Sequence, residues 1–413
     1  MVTPGAEPLP YISIPIGEGK TFQKVGIADL NGDGQYDFVI KQPNVNVDPW
    51  YRYWKPSETT YSLEAWLSDG TFLWEKDLGW AIESGIWYSP YIVYDFDGDG
   101  KAEVAVKTGP PGDPRDTEPA GEYAAGRVRT GPEYLSILDG MTGEEKARVD
   151  WPSREGFGVG DSGYNFASRN QLGLAYLDGR TPAIIVARGT YTLMKVDAYH
   201  YHQGELELVW SWDSRDEPGL YRGQGAHFMH VADVDGDGRD EIILGASVLD
   251  DNGVGLWSLG MGHPDHHYVG NIDPTRPGLE IYYGFETGQL RNGVCLVDAA
   301  TGEILWGIDE RTYHVHAFGL VSDIDPRYPG MECYSGEQGY PEEKPHRWLH
   351  SAQGELLATQ DTLDLGLAPR AAYWDADPQR EVIYGGRIFD FHTGMTHLEG
   401  LGLSLIHISE PTR

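Results

Sequence analysis

The chain has 413 residues, with 64 Asp plus Glu against 31 Lys plus Arg, a formal net charge of −33. Such a charge repels nucleic acid and anionic membrane surfaces, so neither is expected as a partner. Disordered acidic chains are poor in aromatics, but 12% of this one is aromatic, and its 54 Gly and 26 Pro point to many turns between short strands.

In chain order, residues 1–10 read as an N-terminal extension without the basic and apolar regions of a signal peptide. From Val25 a unit recurs: an apolar strand ending in an acid, a tight polar loop, then a second apolar strand. The seven copies begin VGIADLNGDG at Val25, YIVYDFDGDG at Tyr91, LGLAYLDGRT at Leu172, FMHVADVDGDG at Phe228, YVGNIDPTRPG at Tyr268, GLVSDIDPRYPG at Gly319 and AAYWDADPQR at Ala371. Most are followed by a second hairpin with an Asp-Gly or Thr-Gly-Glu turn, as in CLVDAATGEILWGID from Cys295. Four strands per unit, repeated along the chain without helical periodicity, predict an all-β propeller of four-stranded blades over residues 11–400. Cys295 and Cys333 fall inside strand-like runs and are read as two buried thiols rather than a disulfide. Residues 401–413 resemble nothing upstream and are expected to be a non-native tail, with the last blade missing.

Three loops carry a full set of oxygen donors: Asp29, Asn31, Asp33 and Asp37; Asp95, Asp97, Asp99 and Glu103; Asp233, Asp235, Asp237 and Glu241. Donors at positions 1, 3, 5 and 9 around a turn-making Gly suit calcium, a hard cation taking several oxygens in flexible geometry. They are not EF-hands, since position 12 is Ile40, Val106 or Leu244. They resemble the loops of integrin-type propeller repeats, which implies structural calcium on the turn joining two strands. Three more loops are degenerate, with Pro in the turn: Asn271, Asp273 and Glu280; Asp323, Asp325 and Glu332; Asp375, Asp377 and Glu381. For these a metal competes with a plain Asx-turn.

Histidines and basic residues gather near the starts of the first strands: Arg188 and Tyr191; Arg222, His227 and His230; His263, Asp265, His266 and His267; His314 and His316; and Arg370. No nucleophilic triad, phosphate loop or Cys-rich metal site accompanies them.

The segments GPEYLSILDGMTG, VARGTYT, GQGAHFMHVADVDGDGRDEIILGA, DDNGVGLWSLGMGHPDHHYVGNIDPTRPGLE and DIDPRYPG are collinear with polysaccharide lyase family 11, which this chain resembles from about Tyr11 to about Gly386. The resemblance implies an eight-bladed propeller with several calcium ions, and cleavage of rhamnogalacturonan I, an acidic plant polysaccharide, by β-elimination. On that reading a cation on the galacturonate carboxylate stabilises the developing enolate, a basic side chain takes the C5 proton, and rhamnose leaves. We expect His227, His267 and Arg188 at the chemistry, and Tyr191, Arg222, His230, His263 and Arg370 at the substrate. The family's secreted, monomeric habit and its N-terminal β-domain, which would precede this chain, are implied too. Two positions depart from the family: Ile86-Trp87-Tyr88-Ser89 and Phe285-Glu286 stand where relatives carry a histidine. A non-catalytic, calcium-dependent carbohydrate-binding propeller is the alternative.

Overall fold

The computed structural model describes residues 12–45, 57–110, 131–158, 160–338, 345–375 and 377–400, without the side chains of 160–162. The expected N-terminal extension and tail lie outside them. The described residues form seven four-stranded antiparallel sheets, spanning 24–77, 91–150, 170–213, 225–258, 264–307, 320–359 and 370–398. Each is a meander whose neighbours are consecutive in the chain. Each of the seven sequence copies supplies the first two strands of one sheet, which is the propeller-like all-β class expected from the repeat. The chain divides into two compact units between Pro218 and Gly219, with three sheets before the division and four after it.

Burial follows strand position. In the second strands Glu103–Thr108 and Ala183–Arg188 every residue is buried, because within each unit the sheets stack face to face and cover both sides. Fourth strands such as Glu145–Asp150 return to alternation, with exposed Glu145, Lys146, Arg148 and Asp150 separated by half-buried Ala147 and Val149. The cores lie between successive sheets: Leu63, Val39 and Leu78 of the first pack on Val104, Val106 and Leu138 of the second. All seven pairings of third with fourth strand contain a register shift, a bulge that adds twist at each outer edge.

A tryptophan in the fourth strand latches one sheet to the next. The indole N–H of Trp74 donates to the Gly140 carbonyl at 2.8 Å, that of Trp257 to Ala299 at 2.9 Å and that of Trp306 to Ala352 at 2.8 Å. In each case the ring lies on the turn glycine of the next sheet, Gly143, Gly302 or Gly354, where an added Cβ would sit 2.7–2.8 Å from the ring. These glycines also have φ of 69°, 71° and 86°, a region costly for L side chains. The Thr-Gly-Glu signal in the sequence therefore reports packing between sheets as well as a turn.

Gly160–Ala167 forms a short helix that the sequence did not predict. Eight residues are too few to display a 3.6-residue period, and such a helix depends on tertiary packing. Phe166 and Ala167 pack with Phe157 and Leu193. Among the described residues no helix is long and apolar enough to cross a membrane. Cys295 and Cys333 are both free and buried, as expected.

Candidate active site

In the fourth and fifth sheets the Asp-rich loops join first strand to second. The opposite end, where first strands begin and second strands finish, carries the histidines. His227 lies in Gly225–Ala232, and Asp265 in Pro264–Gly270 with His263 just before it. Glu286 follows Glu280–Phe285. One ligand atom from each of His227, His263, Asp265 and Glu286 lies within 4.8 Å of the others. His227 Nε2 is 3.3 Å from Asp265 Oδ1 and His263 Nε2 is 3.0 Å from Glu286 Oε2. The His227 and His263 rings meet edge-on at 4.7 Å.

The loop before the sixth sheet adds a second layer. His316 Nδ1 lies 3.0 Å from Asp265 Oδ2 and 3.0 Å from His314 Nε2, which is 3.8 Å from Glu286 Oε1. The Ala317 N–H also donates to Asp265. Burial alone would raise the Asp265 carboxyl, but hydrogen bonds and charge from His227 and His316 hold it below the usual carboxylate range. Glu286 is lowered in the same way, its burial outweighed by His263. His314 is shifted down by burial and stays neutral at ordinary pH.

The remaining predicted residues lie elsewhere. His267 is fully enclosed, stacked between Phe228 at 5.1 Å and Tyr283 at 6.0 Å, and burial drives its pKa well down. It is a core side chain that presents no face to a substrate. His230 Nε2 donates to the His267 carbonyl at 3.0 Å and packs edge-on to Phe228. His266 bridges the Ala317 carbonyl and Ser335 Oγ, at 2.8 Å each. Arg222 is exposed, and the Arg370 guanidinium lies 4.2 Å from the centre of the Phe318 ring. Arg188 and Tyr191 belong to the other compact unit. Arg188 is fully buried, bonded to Glu133 and to the carbonyls of Pro152 and Ala167, with Lys107 and Arg154 on the same carboxylate. Its position expected at the chemistry is that of a buried ionic knot. The Arg169 guanidinium lies 5.3 Å from both the Trp87 and Tyr191 rings.

The converging group joins His227 and His263 to Asp265 and Glu286, with His314 and His316 beside it, and contains neither His267 nor Arg188. HPDHH and HVH carried the signal for the histidines and Asp265. Glu286 was noted in the sequence only beside Phe285, at a place where the chain departs from the family, and not as a site residue.

At the other end, the first acid of each full loop folds the turn. Asp29 accepts from the N–H groups of Gly32, Asp33 and Gly34, Asp95 from Gly98, Asp99 and Gly100, and Asp233 from Gly236 and Gly238. The later acid has a role the sequence left unseen. In five loops it accepts from the N–H of the buried residue after the first donor: Asp37 from Leu30, Glu103 from Phe96, Glu241 from Val234, Glu280 from Ile272 and Glu332 from Ile324; Glu381 accepts instead from half-buried Trp374, the residue before Asp375. The other oxygen, Oε1, of both Glu241 and Glu332 is buried with no hydrogen-bond partner. Burial raises Glu103 and Glu241 to about 8 and Glu332 to about 7. A buried carboxylate with an idle oxygen beside other carboxylates fits a cation. Oxygens of Asp95, Asp97 and Asp99, and of Asp233, Asp235 and Glu241, converge within 4.8 Å. Asn31 instead spends its amide on Asp33.

The degenerate loops diverge. Arg327 forks onto Asp325, with Nε 2.9 Å from Oδ1 and Nη2 2.5 Å from Oδ2, and His392 approaches Asp325 Oδ1 at 3.3 Å. Asp323 is not among the converging groups. Asp273 is taken by Thr275 and Gln353, while Glu280 joins no converging group of acids and histidines among the described residues. Asp375 and Glu381 converge with His397 rather than with Asp377.

Residues 16–403 match the family described as rhamnogalacturonan lyase family 11, C-terminal domain. The chain belongs to rhamnogalacturonan lyase family 11. Within it, the chain is 36% identical to the rhamnogalacturonan endolyase YesW of Bacillus subtilis over 417 residues, covering 94% of this chain and 63% of that protein. It is likewise 36% identical to the exolyase YesX of the same organism over 406 residues, covering 92% of this chain and 61% of that protein. The chain thus spans under two thirds of the length of these lyases. The crystal structure of YesX superposes with a TM-score of 0.81 over 95% of this chain and 68% of that one, at 35% identity. A Bacillus licheniformis family 11 lyase gives a TM-score of 0.80 at 37% identity, over 94% of this chain and 66% of that one.

Proposed function

We propose that the protein this chain belongs to is a polysaccharide lyase that cleaves rhamnogalacturonan at galacturonate by β-elimination. The observation that carries this reading is the convergence of His227, His263, Asp265 and Glu286, in a chain whose relatives are named rhamnogalacturonan lyases. Two imidazoles and two carboxylates on two rigid sheets fit a divalent cation, while calcium suits the all-oxygen loops. Bound at the histidine cluster, such a cation draws density from a uronate carboxylate and acidifies its C5 proton.

The chain's own groups do the rest. Asp265 orients His227 on one oxygen and His316 on the other; Glu286 orients His263. His314, neutral and half-exposed beside them, is suited to receive the C5 proton at Nε2. The C5–H electrons then form the C4–C5 double bond, the C4–O bond breaks, and the departing oxygen of the neighbouring rhamnose takes up a proton. The positively polarised site also offsets the repulsion between a chain of charge −33 and an acidic polymer. A polymer of this kind is met outside cells, so we infer secretion, with a single chain as the working unit.

The test is the ultraviolet absorbance of unsaturated uronate released from rhamnogalacturonan I. We expect it to rise with a divalent cation present and to vanish with chelator. Polymer binding without any unsaturated product would instead identify a carbohydrate-binding protein.

A further inference from the structure

Arg370 opens the first strand of the seventh sheet, Arg370–Ala372. Its guanidinium lies 4.2 Å from the centre of the Phe318 ring, which belongs to the loop carrying His314 and His316. That ring is 45% exposed, so the pair stands open to solvent. Three side chains of the fifth sheet fix the backbone at Phe318. Asp265 accepts from the Ala317 N–H, His266 Nδ1 donates to the Ala317 carbonyl at 2.8 Å, and the Tyr268 hydroxyl donates to the Phe318 carbonyl at 2.7 Å. Ala317 is held at φ 64°, a conformation costly for a residue with a Cβ and kept only where the surroundings over-determine it. Asp265 holds His227 of the cluster on one side and the Phe318 loop, through Ala317, on the other.

Arg370 is half-buried, and its Nη1 donates to the Pro369 carbonyl at 3.0 Å. No carboxylate pairs with it among the described residues. In a chain with 64 Asp plus Glu against 31 Lys plus Arg this is unexpected. In the same two sheets Arg327 pairs with Asp325, and Arg387 with Asp364. A guanidinium that loses water without gaining a counter-ion is costly, and an arriving anion relieves that cost. The ring supports the cation on its face and leaves the fork of N–H groups to meet a carboxylate.

We propose that Arg370, backed by Phe318, receives a uronate carboxylate of the polymer beside the histidine cluster and so selects an acidic chain over a neutral one. The inference rests on the reading of the cluster as a uronate site. A planar guanidinium meets a carboxylate through two parallel hydrogen bonds, a match that a sugar hydroxyl does not offer. The exposed part of the Phe318 ring gives apolar contact to the C–H groups of the same sugar. Arg370 also sets a positive charge where an anionic polymer must approach a chain of charge −33. It binds substrate and takes no part in the proton transfer.

The experiment measures binding and needs no turnover. Oligosaccharides of rhamnogalacturonan I, native or with their carboxyl groups reduced to alcohols, are titrated by calorimetry in calcium against the Glu286→Gln chain, in which turnover is expected to be slow. We expect Arg370→Gln, added to that chain, to weaken the native oligosaccharides about tenfold or more and the reduced ones by less than about twofold. The loss on native oligosaccharides shrinks as salt is added, because part of it is the attraction of separated charges. Arg370→Lys recovers only part of the loss, since a point charge lacks the fork. Phe318→Leu removes the ring from the guanidinium and weakens the native oligosaccharides about threefold, with the melting temperature unchanged. Unchanged affinity for native oligosaccharides in Arg370→Gln, an equal loss for native and reduced ones, or a loss indifferent to salt overturns the proposal and leaves Arg370 a structural cation. A chain that forms no unsaturated uronate, yet shows the carboxylate-dependent loss, keeps this site and refutes the lyase reading.

Discussion

In the fourth and fifth sheets, one end of each first strand runs into an acidic turn, and the other end meets the His227–Glu286 cluster. The two ends solve opposite electrostatic problems. In the full loops the carboxylates are met mainly by neutral backbone N–H groups. The first acid is used to fold the turn and the later acid to hold the buried residue, and idle oxygens such as Glu241 Oε1 are left over. At the cluster each carboxylate is matched to imidazoles, Asp265 to His227 and His316, and Glu286 to His263 and His314. A loop in that state gains from a cation, whereas the cluster already balances its own charges. On the proposed function, the same sheet would separate scaffold from chemistry by its two ends.

The largest expected effect falls at the cluster. Glu286→Gln keeps the shape of a partly exposed side chain and removes one charge from the four-group set. We expect the rate of unsaturated-product formation to fall about 10²- to 10³-fold, with the melting temperature nearly unmoved. A loss of activity that tracked a loss of stability would erase the distinction between the ends.

Next in size is the response of the loops to cation and pH. Without a cation, Glu103 and Glu241 have folded-state values near 8, against an ordinary unfolded value of about 4.3. The folded chain then holds protons that the unfolded chain releases, so stability is highest below the unfolded value. It falls as pH rises from about 4 towards 8, by on the order of 1–2 kcal/mol per group once solvent screening is allowed for. Chelated protein should therefore melt lower at pH 8 than at pH 5, and added calcium should remove most of that difference. Flat melting across this range in chelator would mean that the loops are not held by charge.

Glu241→Gln tests one loop alone. The amide oxygen still accepts from Val234, but the charge facing Asp233 and Asp235 is gone. We expect a loss of about 1–2 kcal/mol in calcium by denaturant unfolding, a weaker calcium dependence, and an unchanged catalytic rate.

The fold was legible because it is written seven times: each Asp-rich copy became the first hairpin of a sheet, and each Thr-Gly turn marked a hairpin. The cluster was legible only in part. Sequence shows which histidines are near one another in the chain, but not which way alternate side chains face. In HPDHH, Asp265 turns to the site and His267 into the core although they are two apart in one strand, because the pairing shifts register between Pro264 and His266, an irregularity that takes Asp265 out of the regular alternation. The surroundings of Arg188 were equally hidden: a cation at the end of a fully buried strand is compensated by Glu133, 55 residues away in sequence. Glu286 was hidden because the acid joins His263 only when two strands pair. The helix Gly160–Ala167 was too short to register at all.

The smallest effect is expected at the sixth loop, where Arg327 lies across Asp325 as a built-in cation. The guanidinium is exposed on a flexible stem, so the pair itself adds little to stability. Glu332 nevertheless keeps a buried, idle Oε1 beside it. Arg327→Met removes the internal charge and leaves Asp323, Asp325 and Glu332 facing one another. In chelator the variant should melt slightly lower than the parent chain, and in calcium it should recover, because the ion can now occupy the place the guanidinium held. Calcium titrations of melting temperature should thus be steeper for the variant than for the parent chain. If the variant is equally unstable with and without calcium, Arg327 does not stand in for an ion, and the sixth loop is a plain Asx-turn held by the chain on either side.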